Sequence, residues 1–80
     1  MENKRLKVRY QAICTRTDQQ TVVYGLQCMR RCQDAWVSVD EIEDISTAQD
    51  NVLHMAEQFT ALELSPLHFR DAVLDQVSAI

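Results

Sequence analysis

The spacing of apolar residues changes once along the chain, from every second residue to every third or fourth. The first segment alternates apolar with cationic or polar residues, which predicts a strand with one buried face. Its inward residues are Leu6, Val8, Tyr10, Ala12 and Cys14. A second alternating run predicts another strand, with inward residues Val22, Tyr24, Leu26 and Cys28. For the two sets to share a face, even-numbered residues of the first strand must pair with even-numbered residues of the second. The hairpin loop must then contain an odd number of residues, and a three-residue loop within residues 16–20 is favoured.

A third, short strand is predicted at residues 35–39, after a charged connection at 29–34. Trp36 and Val37 would then point to opposite faces of the sheet. Residues 41–45 either extend this strand or lead into the next element. Gly25, inside the second strand, predicts a bulge or the close approach of another backbone.

Two helices are predicted after residue 45. Ser46 and Gln49 have the spacing of a capping box, and an apolar stripe follows. The stripe consists of Ala48, Val52, Met55, Ala56, Phe59 and Leu62. Ser65 followed by Pro66 is a second helix start, and the last helix runs toward Ile80. The apolar residues of that last helix cover roughly 240° of its circumference, more than one packed face needs.

These elements predict an α+β fold: an antiparallel sheet of two or three strands, covered on one face by a C-terminal helical hairpin. We expect one domain spanning residues 1–80, with the strand meander at 1–45 and the helices at 46–80. The predicted core consists of Val8, Tyr10, Tyr24, Leu26, Val52, Met55, Phe59, Val73 and Val77.

Composition fits a small globular protein, with 46% apolar residues, one Gly and one Pro. No apolar run approaches the roughly 20 residues that span a bilayer. The N-terminal stretch has positive charge but no apolar segment behind it, as a signal peptide would require. We therefore expect a cytoplasmic protein that does not enter the membrane.

Charge is divided sharply along the sequence. The first 31 residues hold seven basic and two acidic residues, a net of +5, whereas residues 32–80 hold one basic and ten acidic residues, a net of −9. Arg5, Lys7 and Arg9 form a candidate basic patch on the first hairpin, which makes nucleic-acid binding an alternative function. Against it, the net charge is −4. The aromatic residues Tyr10, Tyr24 and Trp36 are also expected on inward or edge faces, away from the cations, so we expect this binding to be absent or weak.

The three cysteines suit a reducing compartment, because an odd number does not make a disulfide framework. Cys14 and Cys28 are predicted to be small buried residues on strands, and Cys32 to lie in a loop. A metal- or redox-linked role for Cys28 and Cys32 is a further alternative. Zinc needs about four ligands in paired spacing, and this C-x-x-x-C has no second pair, so we expect no metal or cofactor.

Catalytic motifs are absent from the sequence. There is no G-x-S-x-G, no Walker loop and no G-x-G-x-x-G, and a single glycine cannot build a phosphate-binding loop. Two or three short strands with two helices also leave little room for a catalytic pocket. We therefore predict that the protein is not an enzyme.

Three short segments resemble a small bacterial family of uncharacterised proteins. They are VYGL at 23–26, IEDIS at 42–46, and LSPLH at 64–68 with Asp71 and Asp75 beyond. Members of that family read TYGI, IxDIS and LSPxHLxDVIED in the same order. Phe69 and Arg70 depart mildly from the third motif, and valines replace the threonine of the first. The resemblance implies no activity; it favours the order strand, strand, helix, helix in a cytoplasmic bacterial protein.

The sequence favours a small non-catalytic interaction module that binds another protein or a second copy of itself. The wide apolar arc of the last helix and the exposed sheet edges are the reasons. Leu67, Leu74 and Ile80 lie beyond the Phe69–Val73–Val77 stripe, so they are the candidate interface of a homodimer. In the alternative, the last helix packs between the sheet and the first helix and buries the whole arc.

Overall fold

The chain folds into a three-stranded antiparallel meander followed by two helices that pack on one face of the sheet. The computed structural model describes residues 7–78. The strands are β1 (Val8–Asp18), β2 (Thr21–Cys32) and β3 (Ala35–Ser46), in the order β1-β2-β3. The helices are α1 (Gln49–Ala61) and α2 (Phe69–Ser78), with a 3₁₀ turn at Pro66–His68 between them. The predicted α+β class is confirmed, and the third strand forms.

The register of β1 and β2 follows the predicted inward sets. Ala12 faces Leu26, and Cys14 faces Tyr24. A bulge then shifts the pairing after Cys14, with Thr15 as the extra residue. Because the extra residue moves the pairing of β1 by one position, the loop that closes the hairpin has an even number of residues. It consists of residues 19 and 20, and the predicted three-residue loop is wrong.

The second hairpin is longer than predicted. β2 continues to Cys32, and a two-residue turn at 33–34 leads directly into β3. The predicted charged connection at 29–34 is wrong, because Arg31 lies on a solvent-facing side of the sheet where a cation is tolerated. β3 also runs through 41–45 to Ser46, and the molecule measures 49 × 26 × 20 Å.

Gly25 lets both edge strands approach the central strand. A Cβ at this position would overlap the carbonyl oxygen of Ile42 and come within 2.8 Å of the Thr15 methyl group. The pairing of β3 with β2 is irregular here, and Asp44 adopts a φ of 53°. The predicted bulge or close approach at Gly25 is confirmed, and both occur together.

The two helix starts differ in how well the sequence predicted them. Ser46 stays in β3 and its hydroxyl accepts a 3.0 Å hydrogen bond from the Ala48 N–H, so Ala48 is the N-cap and the predicted capping box is wrong. Ser65 caps the second start as predicted, accepting a hydrogen bond from the Leu67 N–H at 3.3 Å, with Pro66 at the first position. That start is a 3₁₀ turn, which passes into α2 at Phe69.

The core lies between the sheet and the helices around three aromatic rings. Tyr10 contacts Phe59 edge-on at 5.6 Å and Phe69 at 5.0 Å between ring centroids. Six predicted core residues are buried there: Tyr10, Leu26, Val52, Met55, Phe59 and Val73. Val8 and Tyr24 are partly buried against the cluster. Val77 is wrong as a core residue, because it lies 42% exposed beside an open groove between the helices.

A threonine on α1 ties that helix to the edge strand β1. The Tyr10 N–H donates to the Thr60 hydroxyl oxygen at 2.9 Å, and the Thr60 hydroxyl donates to the Tyr10 carbonyl at 3.2 Å. The Tyr10 phenol donates to the Leu64 carbonyl at 2.7 Å. These bonds occupy edge groups of β1 that would otherwise be open to another strand.

Candidate functional site

The 3₁₀ turn and α2 carry large apolar residues that the core does not use. Phe69 and Val73 are buried, whereas Leu67 in the turn is 88% exposed and Leu74 on α2 is 62% exposed. The sequence predicted Phe69, Val73 and Val77 to face the core, but Val77 is 42% exposed. Ile80, the third candidate interface residue, lies outside the described residues.

The two exposed leucines differ in the charge around them. Leu67 shares a surface groove of about 530 Å³ with Lys7, Arg30 and Glu63. Leu74 stands one turn after Asp71 and directly before Asp75, both exposed. The only other charged residue of α2, Arg70, is bound to Asp40 of β3 by a 2.7 Å ion pair. Two cations and one carboxylate therefore line the groove at Leu67, and two carboxylates flank Leu74.

Part of the predicted basic patch lies in the described residues. Arg9 lies on the uncovered face of the sheet, with its guanidinium over the Trp36 ring. Lys7, two residues before it, also lines the groove beside Leu67. Arg5 lies outside the described residues, so the patch stays a prediction.

The uncovered face of the sheet carries a tryptophan between two arginines. The Trp36 ring centroid lies 4.9 Å from the guanidinium carbon of Arg9 and 5.9 Å from that of Arg31. Arg9 is on β1, Arg31 on β2 and Trp36 on β3, so the cluster spans all three strands. The expectation that Trp36 lies away from the cations is wrong, because its pairing with Arg31 places the indole on the same face of the sheet as Arg9 and Arg31. We call Arg9, Arg31 and Trp36 the arginine–tryptophan cluster.

Polar side chains continue the uncovered face beyond this cluster. The Gln11 amide donates to the Gln27 amide oxygen at 2.6 Å, and Gln27 in turn donates to Glu41 at 3.4 Å. This row runs across all three strands. Further along, Arg16 pairs with Asp44 at 3.6 Å. Apart from the tryptophan end, the face therefore has the polar surface expected of a solvated sheet.

The cysteines do not come together. Cys28 is buried in the core and Cys32 is exposed at the end of the same strand. Four residues along a strand separate them by about 13 Å, too far for a shared metal or a disulfide. Cys14 is exposed, which contradicts its predicted burial, and Cys32 lies on a strand rather than in a loop. Within residues 7–78, no three His, Cys, Asp or Glu side chains form a metal-binding group.

Two core groups have shifted pKa values. Burial raises the pKa of the Tyr10 phenol, and burial also raises the pKa of the Cys28 thiol. The two side chains face each other on β1 and β2 under the helices. Their location in the closed core explains the shifts without a reactive cleft.

The chain belongs to a family of unknown function, DUF6514, whose model matches residues 1–79. No curated protein matches the chain. No solved structure matches it either. No helix within residues 7–78 is long and apolar enough to cross a membrane.

The motifs that carried the resemblance have structural roles in this chain. Gly25 of VYGL admits the backbone of Ile42, and Asp44 of IEDIS forms the bulge beside it. Ser65 of LSPLH caps the second helical start, and Leu64 accepts the Tyr10 hydroxyl. The candidate surfaces lie elsewhere, on α2 and on the uncovered face of the sheet.

Proposed function

We propose that this protein is a small non-catalytic interaction module that self-associates through α2. The observation that carries the proposal is the exposure of Leu67, in the 3₁₀ turn, and of Leu74, on α2, where the core contacts are already made by Phe69 and Val73. Fully burying a leucine contributes about 1.5–3 kcal/mol, so four leucines from two copies supply a substantial driving force.

Charge complementarity favours a second copy as the occupant. If two copies pack α2 against α2 in antiparallel orientation, Leu67 of each meets Leu74 of the other. The Lys7 and Arg30 side chains beside Leu67 then face Asp75 beside the other copy's Leu74. A two-fold axis repeats this match at both ends of the interface, as an isologous contact requires.

The leucines contribute more than the charges in this arrangement. Exposed ion pairs contribute about 0–1 kcal/mol each and are screened by salt, whereas leucine burial is not. We therefore expect added salt to weaken the dimer only modestly. The charges set the orientation of the two helices.

The non-catalytic character is supported by where the chemically unusual groups lie. Tyr10 and Cys28 are part of the core, and their raised pKa values follow from burial. The surface grooves are lined by apolar residues together with a few charged ones. Such surfaces are typical of recognition between proteins.

Sedimentation equilibrium of the wild type, Leu74→Glu and Leu53→Glu tests the proposal. Leu53 is the matched control, because it is 42% exposed on α1 and lies outside the proposed interface. We expect the wild type and Leu53→Glu to be dimers and Leu74→Glu to be a monomer with an unchanged circular dichroism spectrum. A monomeric wild type at high protein concentration, or equal loss in both variants, would overturn the proposal.

A further inference from the structure

The helices cover only one face of the sheet, and the other face has a second, small hydrophobic centre. Met29 is nearly buried on that face, although it makes no part of the core under the helices. Trp36 lies on the same face, partly exposed, with the Arg9 guanidinium over its ring. An aromatic ring at the surface of a sheet is a platform on which a planar group can stack.

The two cations beside the indole are not committed to carboxylates. The ion pairs among residues 7–78 are Arg16 with Asp44 and Arg70 with Asp40. Arg31 donates one hydrogen bond to the Gln33 carbonyl, at 3.2 Å. Arg9 and Arg31 therefore keep most of their guanidinium donors for an anion from solution.

We infer that the arginine–tryptophan cluster binds single-stranded nucleic acid. A base replaces the guanidinium that lies over the Trp36 ring, and Arg9 and Arg31 turn to bind the phosphates on either side of that base. A duplex keeps its bases stacked on one another and cannot offer a free base to the indole. An acidic peptide supplies the negative charge but has no planar face to match the ring. The cluster thus fits a flexible strand that offers both groups at once.

The row of amides next to the cluster extends the site along the sheet. Gln11 and Gln27 lie on the same face as Met29, two residues further along their strands. Their amides carry both donors and acceptors and can hydrogen-bond the edges of an unstacked base. Glu41 on β3 ends the row, and its carboxylate repels phosphate. The phosphates of the bound nucleic acid must therefore lie toward β1.

The overall charge limits the affinity. The chain carries a net charge of −4, which opposes long-range attraction to a polyanion. We expect binding that is weak, independent of base sequence and strongly reduced by salt.

Tryptophan fluorescence gives a direct readout, since Trp36 is the only tryptophan in the chain. The probe is an oligothymidylate of about 15 nucleotides, titrated into the full-length protein at low salt. We expect saturable quenching, because a stacked base contacts the indole itself. The Leu74→Glu variant should give the same titration, which separates this site from self-association.

Paired variants test the roles of the residues, with anisotropy of a labelled oligonucleotide as the readout. Arg31→Gln should weaken binding and lower the salt dependence by about one released ion, whereas Arg16→Gln should leave both nearly unchanged. Arg16 is the matched control because its guanidinium is already paired with Asp44 and it lies outside both proposed surfaces. Trp36→Phe should retain binding, and Trp36→Leu, which keeps an apolar side chain but no ring, should weaken it about tenfold.

Four results would overturn the inference. They are the absence of quenching at low salt, equal losses for Arg16→Gln and Arg31→Gln, equal affinity for a duplex of the same length, and equal affinity for polyglutamate. The first shows that no base reaches the indole, and the second that any cation suffices. The last two show that the surface binds negative charge without stacking.

Discussion

Thr15 and Asp44, which lie on the two edge strands, exchange two hydrogen bonds across the central strand. The Thr15 hydroxyl donates to the Asp44 carboxylate at 2.9 Å, and the Asp44 N–H donates to the Thr15 hydroxyl oxygen at 3.0 Å. The two residues meet beside Gly25, where the central strand has no side chain. Both edge strands are bulged at this point, so the three residues form one structural unit.

Gly25→Ala should therefore be strongly destabilising. The new methyl group overlaps the Ile42 carbonyl, a backbone atom that cannot rotate away, and it also crowds the Thr15 methyl group. We expect a loss of about 3 kcal/mol or more in the free energy of unfolding, measured by urea denaturation. Ser38→Ala, at an exposed position on β3, should cost under about 0.5 kcal/mol. Equal, small losses in both variants would show that the strands do not approach each other at Gly25.

Phe59→Ala should remove the edge-on contact with Tyr10 and leave a cavity in the core. Phe59 is 4% exposed, so we expect a loss of about 3–5 kcal/mol, which nearly unfolds a domain of 80 residues. Leu53→Ala on the exposed side of the same helix is the control and should cost under about 1 kcal/mol. If Phe59→Ala lost less than the control, the assignment of the helix faces would be incorrect.

The three thiols should differ in reactivity. Cys14 and Cys32 are exposed, whereas Cys28 is buried and its pKa is raised by that burial. A thiol reacts as the thiolate, so a disulfide reagent at neutral pH should modify Cys14 and Cys32 rapidly and Cys28 only on unfolding. Stopped-flow absorbance of the reagent counts the thiols that react in the fast phase. The wild type should show two such thiols, and Cys14→Ser and Cys32→Ser should each show one fewer. Three fast equivalents in the wild type would contradict the buried position of Cys28.

Stability should fall at alkaline pH. Burial raises the pKa of Cys28 and of Tyr10 above their unfolded values, which lie near ~8.5 and ~10. Above those values the unfolded chain releases protons that the folded chain retains, so rising pH favours unfolding. We expect urea midpoints to be constant from about pH 7 to 8 and to decline above about pH 8.5. Cys28→Ala should remove the first part of the decline, and an unchanged decline in that variant would refute the assignment.

Local periodicity predicted the faces of the elements well, because burial of one face repeats along a strand or helix. Ala12 and Leu26 share the covered face as expected, and Phe59 and Val73 are buried. The turns were harder, since Gln19 and Gln33 adopt φ values of 52° and 57° without being glycine. Neither turn contains the glycine or asparagine that usually marks a two-residue turn, so the strands of both hairpins were predicted too short.

The candidate sites were only partly accessible to sequence analysis. The exposed leucines of α2 follow from helical spacing within one element. The arginine–tryptophan cluster depends on the register of three strands, and the bulges that set this register leave no local signal in the sequence. The sequence alone therefore does not indicate that Arg9 and Arg31 are the residues next to Trp36.

The central claim is that two copies meet through antiparallel α2 helices, with opposite charges matched at each end. One variant combines Lys7→Glu with Arg30→Glu, and the other is Asp75→Lys. Each variant alone sets like charges against each other and should dissociate relative to the wild type, whereas a mixed pair restores attraction at both ends.

Sedimentation velocity of an equimolar mixture, beside each variant alone and the wild type, tests this claim most directly. We predict dimers for the wild type and for the mixture, and monomers for each variant alone at the same concentration. A mixture that remains monomeric while the wild type is dimeric would contradict the antiparallel arrangement, and a monomeric wild type would contradict self-association itself.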